Sequence, residues 1–400
     1  MSRLPPALGT LWPAVKRLHR GATRASGAVA RRTAPRWGQR GLPTTAATTS
    51  RETAAAEPEE VRLHPAPAVS PIRRTPPEGS PADHWAFRTT ATAELPERFT
   101  LEIAGGTVLG DYGAVITPGG RLDFETSEYF GIHGWREHPL YLRSRLPPIE
   151  DVDGDLLVLA TRGGSNYYHV LMDVLPRLVV LRESLPDRTP DRYYVADATG
   201  YQRRLLQMAG IPADRVVATR KHRAVRAGRL LVPSLPNPDE LAPPWVVQWL
   251  RATFPPVRTE GRPRRLYVTR GGGRHTRRLD SEPELWPELE RRGFTRIDPG
   301  TLDVQEQVDH FAAAEVVVGV HGAALTNLVF ARPGARVLEL FPPTYVKHCF
   351  WAITCGVPDV EYRYLVGRGR VPTEGTHMPG VHADIDLDAR RVLSEVDRML

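Results

Sequence analysis

The stretch EVVVGVHGAALTNLVFARPGARVLEL, residues 315–340, decides how the rest of the chain is read. Val316–Val320 is an uninterrupted apolar run of strand length, a helix is predicted over 323–331, and a second strand over 336–341. Strand, helix, strand is the repeat of a parallel sheet covered on both faces. His321 stands at the carboxyl end of the first strand, where an apolar strand has no use for an imidazole. Gly322, Ala323 and Ala324 are small enough for a ligand to approach the backbone there.

The alternation extends outward from this unit. Before it, RRLYVTR (264–270) and FTRID read as strands, with helices over 282–292 and 303–313. Asp303 with Glu306 three residues on is an acidic capping box. After it, a helix closes the chain, capped by Asp386 or Asp388. An earlier series runs through DLLVLA (155–160), the helical NYYHVLMDVLPRLVVLRESL, RYYVAD (192–197), a helix closed by Gly210, and RLLVPSLP (229–236). Seven prolines in 236–264 mark an interdomain connection between the two series. The fold class is therefore α/β, with two doubly wound, Rossmann-like halves facing a cleft. The first, 84–240, includes a β-rich, glycine-punctuated N-terminal segment; the second spans 260–375, and a C-terminal helix occupies 384–400.

Net charge is +7, but residues 1–90 hold 14 basic and 6 acidic side chains, so the remainder is close to neutral. A nucleic-acid-binding body, which would carry a basic folded face, is not indicated. Residues 1–80, rich in Pro, Ala, Thr and Arg without sustained periodicity, are expected to be a disordered basic tail, a candidate for peripheral contact with an anionic membrane. Two cysteines, Cys349 and Cys355, build neither a disulfide framework nor a zinc site. No stretch approaches the roughly 18 apolar residues of a membrane span. A cytoplasmic protein, at most peripheral at the inner face of the membrane, is the expectation.

The chemistry-bearing residues sit at strand ends and helix starts. His321 and the amides opening the next helix suit a diphosphate. Glu339, late in the following strand, is placed to accept both hydroxyls of a ribose. Arg270 ends the strand LYVT and suits bidentate phosphate contact; Arg277 and Arg278 could do the same, but read better as solvated charges. In the first half, His169 and Asp173 are four apart and share a helix face, with Asn166 as N-cap; either His169 or Asp173 can serve as a base. DVDGD (151–155) contains an Asp-X-Asp string, but it is read as a turn before a strand and no metal is assigned.

Taken in order, NYYHVLMDVLPRL, then LYVTR with RRLDSEPEL and RRGF, then QEQVDHFAAAEVVVGVHGAALTNLVFARPGARVLELFP resemble the landmarks of glycosyltransferase family 61 over about residues 95–365. The chain departs from that family's habit of Asn-Glu at Ser281-Glu282 and in the three glycines after Arg270. The resemblance implies a GT-B arrangement and an inverting transfer from a nucleotide sugar, a UDP-sugar by family habit, to a glycan, with no metal and no cofactor. It implies that His321, Gly322, Ala323, Ala324 and Arg270 hold the donor. Asn166, His169 and Asp173 would line the acceptor side, and the terminal helix would fold back across the first half. A bacterial capsular or envelope polysaccharide is the implied setting. The competing readings are a non-catalytic nucleotide- or glycan-binding protein on the same fold, or a dinucleotide oxidoreductase. The absence of a Gly-x-Gly-x-x-Gly fingerprint counts against the last.

Overall fold

The computed structural model describes residues 41–132, 134–143, 145–270, 277–374 and 380–400, with the single positions 22, 25 and 29. Two sheets organise these residues. The second is wholly parallel, in the order Thr295–Ile297, Arg265–Val268, Val316–Val320, Arg336–Phe341, Glu361–Val366, Glu78–Ser80. Val316–Val320 is interior to it, and every residue of the strand is buried. Alternation of side chains explains the valine run. Val317 packs in a core with Val308 and Phe311 of the helix Val304–Ala313, while Val316, Val318 and Val320 pack with Leu285 and Leu289 on the other face. Asp303 caps that helix as a capping box with Glu306, as the sequence predicts.

The first sheet has ten strands among the described residues. Its parallel part runs Ala224–Pro233, Ile149–Val158, Arg192–Val195, Val216–Ala218, and antiparallel strands extend it. The two sheets share one continuous apolar core that contains Leu157, Leu159 and Leu231 of the first and Val268, Val317 and Val337 of the second. The helix Pro244–Thr253 in the proline-rich connection contributes Val246, Val247 and Leu250 to it.

Several elements differ from expectation. Of the tail expected to be disordered, residues 45–80 carry structure: strand Thr45–Ala47, helix Ser50–Ala56 and strand Val61–Pro65 join the first sheet region, and Glu78–Ser80 pairs at the edge of the second. Thr49 and Glu52 form a capping box, and buried Asp123 accepts from the hydroxyls of Ser50 (2.9 Å) and Thr53 (2.5 Å). These pieces are too short to show a period, and long-range partners fix them. Residues 1–40, apart from the three single positions, lie outside the described residues.

DVDGD is not a turn before a strand. It lies within Ile149–Val158, at a register shift between Val152 and Asp155, and two of its three acids face arginines: Asp151 with Arg226 at 2.7 Å, Asp155 with Arg188 and Arg229 at 3.3 Å each. The terminal helix Ala389–Met399 does not cross the first half. Its Val392, Val396 and Met399 pack with Leu285 and Leu289 of the helix Glu282–Arg291, and Asp397 pairs with Arg292 at 2.7 Å.

Candidate functional site

His321 follows Val320 at the strand's carboxyl end and is 4 % exposed. Its Nδ1 shares a hydrogen bond with Glu339 Oε1. The neighbouring strand's register sets Glu339 opposite Gly319, close to the histidine. Tyr362, one strand further, donates its hydroxyl to Glu339 Oε2. Glu339 is 0 % exposed, so its oxygens are taken by the protein and it does not face a ribose, contrary to the sequence expectation. Burial drives the Glu339 carboxyl well up, and burial together with Arg277, Arg270 and Lys347 drives His321 well down. Burial therefore disfavours charge on both members of this pair.

Three cations stand around this strand end. Arg277 is not a solvated charge: it is 7 % exposed, donates to the His321 carbonyl and to Val381 O (2.9 Å), and lies 4.8 Å from the Tyr345 ring. Arg278 is exposed. The Arg270 guanidinium rests on Gly322, where a Cβ would come within 1.7 Å of its Nη1. Gly322 is thus needed for close approach of the guanidinium, and its extended backbone is unstrained. Ala323–Phe330 is a 3₁₀-helix, and its first amides have no intrahelical acceptor.

The second constellation lies on the expected helix, whose form is irregular. A turn at Tyr167–His169 passes into a π-turn at Val170–Val174, with Leu175 N bonded to Val170 O (3.0 Å), before Arg177–Ser184 resumes. Pro176 lacks the N–H that a regular ladder needs here. Asn166 caps the first turn, accepting from Tyr168 N at 2.9 Å, and remains exposed. His169 Nδ1 and Asp173 Oδ2 are 2.5 Å apart, and Asp173 Oδ1 accepts from Asn237 Nδ2 at 3.0 Å. Gly163 has φ 70°, and a Cβ there would meet His169 Cδ2 at 2.5 Å.

Between the two histidine pairs lies a group that sequence reasoning missed. Asn237 Oδ1 accepts from Ala242 N (2.7 Å) and closes a loop in which Asp239, Glu240 and Ala242 have φ of 49°, 60° and 45°. Left-handed backbone at three non-glycine residues is strained and is held only by its surroundings. The loop carries Glu240 to Lys347 Nζ at 2.8 Å, and Asp239 O to His348 Nε2 at 2.9 Å. Burial opposes both charges of the Glu240–Lys347 pair, yet each holds the other ionised. Lys347 influences His321, and His169 influences Glu240. Phe350 packs against both His321 (5.0 Å between centroids) and Tyr168 (5.9 Å). The only sequence signal was that Lys347 is one of three lysines in an arginine-rich chain.

A cavity of about 620 Å³ is lined by Tyr167, Tyr201 and Arg204 together with Arg270, Asp298 and Ala324. Tyr167 donates to Asn327 Oδ1 (2.8 Å), whose amide donates to Gln307 (2.8 Å), so the His169 helix is tied to the second sheet's helices. The donor candidates His321, Gly322, Ala323, Ala324 and Arg270 are thus gathered at one strand end. Asn166, His169 and Asp173 form a separate cluster.

Among proteins of known sequence, no curated one matches the chain. Residues 167–338 match the family model described as Glycosyltransferase 61. The matched segment contains His169, Asp173, Arg270 and His321, and ends one residue before Glu339. Over these residues the chain is similar to glycosyltransferase family 61, which supports a glycosyltransferase activity.

Proposed function

We propose that the protein transfers a sugar from a nucleotide-sugar donor, a UDP-sugar, to a glycan hydroxyl, with inversion and without a required metal, on two halves arranged as in GT-B enzymes. The observation that carries the reading is the strand end at His321: a buried imidazole held by Glu339, small residues, and Arg270, Arg277 and Lys347 around it. Donors and cations fixed before the reaction stabilise a departing diphosphate at little reorganisation cost. The base is His169 or Asp173, with Asn166 on the acceptor side; Asp173 is oriented by Asn237 and bonded to His169. The chosen hydroxyl loses its proton to this pair and attacks the anomeric carbon from the face opposite the nucleotide. A bacterial envelope or capsular glycan as acceptor, and a cytoplasmic setting with peripheral membrane contact through the basic N-terminal tail, complete the reading. No helix among the described residues is long and apolar enough to cross a membrane.

Calorimetric titration of the full chain with UDP, GDP and NAD, in EDTA and then with manganese, tests it. The expected result is UDP binding in EDTA that His321→Ala abolishes. Binding of NAD alone, or of a nucleotide only with manganese, would overturn the donor-site assignment.

A further inference from the structure

A second hollow, of about 700 Å³, lies on the far side of Phe130 from His169. Its lining includes Tyr112, Tyr129, Phe130, Tyr141, Leu142 and Arg143. Phe130 is the wall it shares with the His169 site, the two rings being 5.3 Å apart. Phe130 is 44 % exposed and Leu142 46 %, although both are large and apolar. Phe130 is nonetheless held in place. The Arg162 guanidinium lies 4.7 Å from its ring and is itself paired with Glu128 at 2.7 Å, and Tyr129 packs edge-on at 6.2 Å. A rigid aromatic ring kept at the surface beside a candidate base is a stacking platform in search of a partner.

The partner's chemistry follows from the rest of the lining. Tyr112 is 8 % exposed, and its hydroxyl faces the Arg143 side chain without a hydrogen bond of normal geometry. A buried polar group left in that state is paired when a ligand supplies the complement. Arg143 is already engaged, with His222 Nδ1 at 3.0 Å and the Lys221 carbonyl, so it offers directed N–H groups more than an uncommitted charge. The lining also carries Arg136 and Lys221 against Asp111 and Glu137, so its charges nearly balance, and aromatic faces alternating with polar groups match a sugar ring, which has C–H faces and hydroxyl edges. A lipid chain would want a dry lining.

We propose that this hollow binds a neutral oligosaccharide, one ring stacked on Phe130, so that the hydroxyl of an adjoining ring reaches His169 and Asp173. The role as acceptor site rests on the transferase reading; the saccharide binding itself does not. The test titrates the full chain separately with cellohexaose, xylohexaose, maltohexaose and chitohexaose, and with UDP as a parallel probe. At least one hexasaccharide is expected to bind, with affinity falling at least about tenfold in Phe130→Ala and Leu142→Ser and retained in Phe130→Trp. UDP binding is expected to be equal in all four proteins. Binding of none of the four, or equal binding by Phe130→Ala, would overturn the proposal. Saccharide binding without UDP binding would sink the transferase reading and leave this site standing; the reverse pattern would do the opposite.

Discussion

Glu339 and Tyr362 show how a residue's neighbours set what it does. A carboxyl late in a strand suits a ribose, but one with both oxygens engaged by protein side chains at zero exposure acts on its partners instead. Tyr362→Phe removes one donor and leaves a buried acceptor unpaired, so a loss of about 1–3 kcal/mol is expected in urea unfolding, with weaker nucleotide binding as His321 loses its fixed orientation. Asp173 has the converse character, since it touches both a histidine and a positioning amide. Asp173→Asn keeps the shape and removes the charge. Turnover in a sugar-transfer assay is expected to fall by about a hundredfold or more while the dissociation constant for UDP is unchanged.

At the scale of elements, the local signals were strongest where a helix begins. Asp303 with Glu306 and Asp388 at the terminal helix are caps the sequence displays, because cap and capped amide are two or three residues apart. Where that terminal helix docks is not local, and its contact with Glu282–Arg291 replaced the expected contact with the first half. Val396 is fully buried in that contact. Val396→Asp places an unpaired charge there and is expected to cost about 3 kcal/mol or more, read as a lowered thermal midpoint. The π-turn at Val170–Val174 is likewise invisible to a helical period, since Pro176 and the packing of Tyr168 and Asp173 against the 237–242 loop shape it.

For the whole molecule, the shared core makes the two sheets one cooperative body, and its buried histidines set an acid limit. His138 and His348 are each pushed down to about 4 by burial, from an ordinary value near 6.5. The unfolded chain takes up protons below 6.5 that the folded chain refuses until about 4, so stability is full above 6.5 and is lost as pH falls through that window. Urea midpoints at pH 7, 5.5 and 4.5 are expected to fall in that order, and His348→Gln should flatten the decline.

The strand Val316–Val320, its successor Arg336–Phe341, the α/β class, and the candidates His169, Asp173, Arg270 and His321 are legible in the order of amino acids, because period, caps and strand ends are properties of neighbours in the chain. Long-range packing alone sets Glu339 against His321, buries Arg277, pairs Glu240 with Lys347 between the two histidines, and adds strands from residues 45–80 to both large sheets. Each of those depends on groups far apart in sequence. Their burial, and therefore their charge and hydrogen bonding, exists only once the core has closed around them.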